Sequence, residues 1–207
     1  MRFFRTPKWF RLLWPQYEWN IKNATKSIYL TFDDGPHPEI TPWVLDVLDK
    51  FNAKATFFVV GENAKKYPQT IDKIIEKGHK VENHTFHHVK GWSTSISEYE
   101  KNIVECDSCI PYRTTKYFRP PYGRITQKQG KQLINKGYQI VMWSLLTYDY
   151  DKKLNLKRAS KAINSKTQSG DIVVFHDSEK AEKQLKFLLP KYLENINSKG
   201  FEILSLP

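Results

Sequence analysis

Short runs of apolar, β-branched and aromatic residues recur along the chain, separated by longer stretches whose apolar positions step by three and four. The runs are SIYLTF (27–32), ATFFVV (55–60), HKVENH (79–84), KYFRP (116–120), YQIVMW (138–143), DIVVFH (171–176) and FEIL (201–204). Their residue types fit strands. The stretches between them, PWVLDVLDKF (42–51), YPQTIDKIIEKG (67–78), SEYEKNIVECDSCI (97–110), TQKQGKQLINKG (126–137) and KAEKQLKFLLPKYLENINSKG (180–200), carry the helical period. Several end in Lys-Gly, a cation followed by a residue that accepts a left-handed backbone, which is a helix stop. Strands alternating with helices predict a parallel sheet, open or closed into a barrel.

In such a sheet the C-terminal strand ends face one crevice, so titratable residues placed there converge. Asp33 and Asp34 follow the first run, His84 closes the third and Arg119 falls at the end of the fourth. Asp149 comes shortly after the fifth run, and His176 ends the sixth.

Composition narrows the class. With 207 residues, 40% hydrophobic and 14% aromatic, the chain can bury one sizeable core. No repeat, low-complexity tract or long linker divides it. The longest unbroken apolar runs, at 57–60 and 172–175, are far shorter than the roughly 20 residues of a membrane span. The first residues, MRFFRTPKWFRLLWPQYEW, lack a continuous apolar core and a small-residue cleavage site, so a secretory signal is not expected. A cytoplasmic location follows as the default, with peripheral membrane contact or an unseen export route left open. Residues 1–26 are expected to form a basic, aromatic strap packed on a domain of residues 27–207, a membrane-facing patch being the alternative.

The net charge of +11 would suit an anionic partner, but the lysines are spread along the chain and no nucleic-acid motif accompanies them. Solvated surface is the simpler meaning, and nucleic acid is not an expected partner. Cys106 and Cys109 form a lone CxxC away from any strand-to-helix junction, which suits reduced, half-buried thiols better than zinc or redox chemistry.

The chemistry sits in two short segments. TFDDGP (31–36) sets two carboxylates side by side, and HTFHH (84–88) supplies three imidazoles. Residues four apart on a helical turn share a face, so His84 and His88 can hold one metal ion, with His87 an alternative at three-residue spacing. Two histidines and a carboxylate form a common zinc shell that keeps positions open for water and substrate. Asp34 would complete it, leaving Asp33 to act as a base.

These residues resemble the polysaccharide deacetylases of carbohydrate esterase family 4, the NodB-homology domain. TFDDGP (31–36), HTFHH (84–88), RPPYG (119–123), the Asp149-Tyr150 pair and VFH (174–176) stand in that family's order, from about residue 27 to the C-terminus. The resemblance implies an α/β fold, a distorted (β/α) barrel of about seven parallel strands. It implies a metal triad of Asp34, His84 and His88 holding zinc, or else cobalt or nickel. By the same likeness Asp33 is the base, Arg119 orients it, and the Tyr122 N–H contributes to an oxyanion hole. His176 is the acid, tuned by Asp149, while Tyr150, Val174 and Pro120 contact the substrate. The implied activity removes N-acetyl groups from an N-acetylglucosamine-containing poly- or oligosaccharide. Alternatives are an O-acetyl esterase or other amidase using the same site, and a non-catalytic glycan-binding module. Leu146 and Tyr150 depart from the family's usual residues, which bears on the acyl pocket and substrate preference.

Overall fold

The computed structural model describes residues 2–111 and 114–207. Strands β1 (Ser27–Asp33), β2 (Thr56–Val59), β3 (Lys80–Asn83), β4 (Tyr117–Phe118), β5 (Gln139–Ile140), β6 (Leu145–Leu146), β7 (Ile172–His176) and β8 (Glu202–Leu204) form one sheet. Its order is β5-β4-β3-β2-β1-β7-β6, with β8 alongside β1. All the pairings are parallel. The helices are α1 (Lys8–Leu13), α2 (Ile40–Asp49), α3 (Gly61–Lys66), α4 (Pro68–Glu76), α5 (Ile96–Asp107), α6 (Gln127–Asn135), α7 (Leu156–Lys166) and α8 (Glu182–Ser198).

Each of the seven expected strands and five expected helices is present, several of them trimmed at the ends. Strand β6 is added, together with helices α1, α3 and α7. Two residues of β6 are too few to show a period, and α7 is so polar that only Ala159 and Ile163 are fully buried.

The central strands are buried along their whole length, as expected where both faces of a parallel sheet are covered. Alternate side chains divide two cores. Ile28, Leu30 and Phe32 of β1 join Phe57, Phe175 and Tyr192 in the layer under the helices. Phe32 stacks on Phe57 with ring centroids 5.0 Å apart. Tyr29 falls in the second cluster, with Phe58, Tyr117, Val141 and Ile172 inside the curl of the sheet. Thr31 and Asp33 are in phase with Tyr29. That period of two carries the Asp33 carboxylate into the barrel interior, while β1 and β7 set it in register with His176.

Edge strands β5 and β6 follow one another in sequence but pair with other strands, leaving a seam between them. The N-terminal segment fills that seam. Glu18 N–H donates to Ile140 O (2.8 Å), and Met142 N–H donates to Glu18 O (2.7 Å), on one side. Thr6 N–H donates to Ser144 O (3.0 Å), and Leu146 N–H to Phe4 O (2.8 Å), on the other. Backbone groups that an open barrel would expose are thereby paired.

Candidate active site

Strand C-termini and the loops after them enclose a cavity of about 530 Å³. Asp33, Asp34, His84, His88, Pro120, Tyr122, Tyr150, Val174 and His176 all line it. Arg119 and Asp149 lie behind the wall, both fully buried and each bonded to a lining residue. The structure thus gathers the eleven residues that the family likeness assigned to the site, nine in the wall and two in support.

Asp34, His84 and His88 present ligand atoms within 4.8 Å of one another. His88 Nε2 is 3.1 Å and His84 Nε2 3.6 Å from Asp34 Oδ1. A tetrahedral zinc site with bonds near 2.0–2.1 Å has edges of about 3.3 Å, so these separations match its donor spacing. The proton positions fit as well. His84 Nδ1–H donates to the Arg119 carbonyl at 2.7 Å, and a carbonyl only accepts, so the lone pair of His84 lies on Nε2, toward Asp34. His88 has its Nδ1 occupied by the Tyr122 hydroxyl at 3.1 Å.

Burial pushes the His84 pKa down to about 4, helped by the neighbouring His88, so the ring is neutral and able to ligate. Burial would raise the Asp34 pKa, but the hydrogen bond from His88 and the charges of the surrounding imidazoles hold it well below the usual carboxylate range.

The two histidines do not meet as a helical turn would bring them. Residues 84–88 are a loop, with Thr85 at φ 66° and His88 at φ 52°. The reversed backbone, rather than helical spacing, sets the rings 5.0 Å apart. The same loop turns His87 outward, its Nδ1 3.5 Å from Glu62 and its side chain half exposed. His87 is therefore outside the cluster. His37 accepts the N–H groups of Glu39 and Ile40 at the start of α2, and buried His79 accepts the Ala55 N–H.

Asp33 Oδ1 accepts from Arg119 Nη1 at 2.6 Å. That guanidinium also donates to Thr31 Oγ1, Val141 O and Met142 O, and lies 4.1 Å from the centre of the Phe58 ring. Its orientation is held from several directions, and Asp33 gains a permanently charged partner. On the adjacent strand β7, His176 donates both its backbone N–H (2.8 Å) and its Nδ1–H (2.7 Å) to Asp149, which leaves Nε2 as the imidazole's free nitrogen. Burial alone would lower the His176 pKa, yet the charge and hydrogen bond of Asp149 more than reverse this and lift it to about 9.

Tyr122 sits at φ 60° in the turn Pro121–Gly123, closed by N–H donation from Gly123 to Pro120 O and from Arg124 to Pro121 O. The Tyr122 N–H is left outside that turn's own bonding. Gly123 is required there, since its φ is +64° and a Cβ would lie 2.7 Å from the Trp143 ring. Asp34, Thr85, His88, Tyr122 and Tyr148 all have positive φ. Such conformations cost of order 1–3 kcal/mol each and persist where the surroundings over-determine them.

Two wall residues were not anticipated. Trp143 and Tyr148 join Leu146, Tyr150 and Val174 in the apolar part of the cavity, and the Tyr150 ring packs edge-on against His176 at 4.9 Å. Asp177 is a further omission. It is buried, and its carboxylate accepts the Gly35 N–H (3.1 Å) and the Thr41 hydroxyl (2.5 Å), pinning the turn that carries the two aspartates. A Cβ on Gly35 would lie 2.1 Å from that carboxylate, which explains the glycine after the pair. Its position directly after His176 was the available sequence signal. Cys106 is buried at the end of α5 and Cys109 partly so.

The family model for polysaccharide deacetylase matches residues 20–141. A Bacillus cereus peptidoglycan-N-acetylglucosamine deacetylase is 31% identical over 206 residues, spanning 94% of this chain and 74% of that protein. A chitooligosaccharide deacetylase of Sinorhizobium fredii is 33% identical over 195 residues, with 87% and 90% covered. Among solved structures, a peptidoglycan N-acetylglucosamine deacetylase in complex with 4-naphthalen-1-yl-N-oxidanyl-benzamide superposes with a TM-score of 0.87 at 30% identity, over 96% of this chain and 94% of that one. A peptidoglycan deacetylase from Bacillus subtilis gives 0.78 at 27% identity, with 89% of each chain covered. The distorted barrel expected from the motifs is the fold observed.

Proposed function

Because the chain belongs to the polysaccharide deacetylase family, we propose that it is a metal-dependent hydrolase removing N-acetyl groups from an N-acetylglucosamine-containing glycan. The observation that carries this reading is the two couples, Asp33 with Arg119 and His176 with Asp149, whose Asp33 and His176 stand in register on adjacent strands beside the Asp34, His84 and His88 cluster. Held by those three residues, a divalent cation, zinc in the first instance and cobalt or nickel as substitutes, would acidify water and polarise the acetyl carbonyl.

The chain's own groups divide the remaining work. Asp33 accepts the proton of the attacking water, and Arg119 holds its carboxylate aimed. The Tyr122 N–H donates to the oxygen that gains negative charge as the carbonyl carbon becomes tetrahedral. His176, charged and with Nδ1 tied to Asp149, donates from Nε2 to the departing amine nitrogen. Trp143, Leu146, Tyr150 and Val174 supply the apolar surface for the acetyl methyl group. An idle glycan-binding module would have no use for two such couples.

Zinc-loaded protein should release acetate from N-acetylglucosamine oligomers faster than from acetylated xylan. Asp33→Asn should lose at least about 100-fold in kcat while binding metal stoichiometrically by elemental analysis. Undiminished turnover in Asp33→Asn would exclude it as the base, and preference for xylan would shift the assignment to an esterase.

A further inference from the structure

The strap over the barrel seam is built inside out. Helix α1 turns Phe10 inward, where it packs against Trp14 and Trp19 over the cluster that includes Tyr17 and Leu133. Trp9, Leu12 and Leu13, spaced i, i+3 and i+4, share the solvent-facing side and are 61%, 77% and 58% exposed. Phe3, a few residues earlier, is 56% exposed. An apolar stripe facing away from its own protein marks an interaction surface rather than scattered surface residues.

The helices on either side of the seam show a matching bias. Tyr17 of the strap touches α6 at Gly130, and the Arg5 guanidinium donates to the Lys166 carbonyl at the end of α7. Neither α6 nor α7 contains an aspartate or glutamate. Between them they expose Lys128, Lys131, Lys157, Arg158, Lys161 and Lys166. Among the described residues none of these six is in an ion pair, whereas Lys136, just past α6, does reach Glu100. The strap itself adds exposed Lys8 and has a single carboxylate, Glu18.

From this juxtaposition we propose that the seam face docks on an anionic lipid bilayer, with Trp9, Leu12 and Leu13 entering the headgroup boundary and the cations of α6 and α7 resting on the lipid charges. Cations alone would suit any polyanion. The outward tryptophan and leucines select a surface with hydrocarbon beneath its charge, which nucleic acid lacks. No helix among the described residues is long and apolar enough to cross a membrane, so the contact is peripheral. Phe4 also packs edge-on against Tyr148 of the cavity wall, at 5.4 Å, so docking would hold the site close to the bilayer.

Vesicle flotation tests this directly. The full chain should float with phosphatidylcholine vesicles containing about 30% phosphatidylglycerol at least about tenfold more strongly than with phosphatidylcholine alone, and high salt should weaken the binding. Combining Trp9→Ser, Leu12→Ser and Leu13→Ser should reduce binding at least about tenfold, as should Lys128→Glu with Lys161→Glu. All five positions are exposed, and an unchanged melting temperature would confirm that each variant folds. Equal binding to both vesicle types overturns the proposal, as does flotation that survives the triple substitution. A self-associating protein whose dimer the triple substitution dissolves would show that a second copy covers the face instead. Duplex DNA bound as tightly by the triple variant as by the parent, without flotation of either, would reduce the face to a general polyanion site.

Discussion

Replacing Asp149 with asparagine keeps the shape of the group beneath His176 and removes its charge. In the protein without metal, the imidazole pKa stands at about 9 against an ordinary 6.5, because Asp149 overcomes the effect of burial. That difference corresponds to about 3 kcal/mol favouring the charged ring, at about 1.4 kcal/mol per pH unit. Without the carboxylate, burial is opposed only by the more weakly acting charges of Asp34 and Asp33, and the value falls. The direct assay is an NMR titration of the imidazole in chelator-treated protein, assigned with His176→Gln. The midpoint should fall from near 9 by at least about one pH unit in Asp149→Asn. A group whose folded pKa is raised stabilises the fold fully below its unfolded value and loses that stabilisation as the pH rises through the folded one. Wild-type protein should therefore lose about 3 kcal/mol between roughly pH 6.5 and pH 9, most of which Asp149→Asn does not lose, measured by urea unfolding. In the zinc-loaded enzyme at pH 8, kcat of the variant should drop by a factor on the order of 100, since its acid has lost the carboxylate that holds it charged. A wild-type midpoint near 6.5, or a midpoint near 9 that survives the substitution, would refute this account of His176.

Arg119→Met should destabilise the fold by about 3–5 kcal/mol in denaturant unfolding, because it strands the buried Asp33 charge; a loss under 1 kcal/mol would mean Asp33 is compensated elsewhere. His88→Gln should weaken zinc binding at least about 100-fold by calorimetric titration while His87→Gln leaves it unchanged, and the reverse order would reassign the ligand. Gly123→Ala should cost about 1–3 kcal/mol of stability through its positive φ and the Trp143 ring, a wild-type melting curve being the contrary result.

Much of the site was legible because chemistry and topology coincide in the sequence. Period-two runs ended by aspartate, histidine or arginine placed those groups at one sheet edge, and strand phase alone turned Asp33 into the barrel. The adjacent carboxylates had no structural reason to stand together, which marked one of them for coordination. The seam and its strap were less legible. An aromatic, basic N-terminus reads as packing with a patch as the alternative, and only the sheet's two unpaired edges decide which backbone groups Phe4, Thr6 and Glu18 must satisfy. The two-residue strand β6 carried no period to detect. His84 and His88 converge through left-handed backbone at Thr85 and His88, a conformation that nothing in HTFHH announces. Asp177 acquires its role only when Gly35 and Thr41 are brought against it from the loop after β1 and from α2. Local sequence determines which residues can form a strand, a helix or a ligand, because those preferences act over a few bonds. Which buried polar group finds which partner is a long-range matter, settled only when the chain has closed around it.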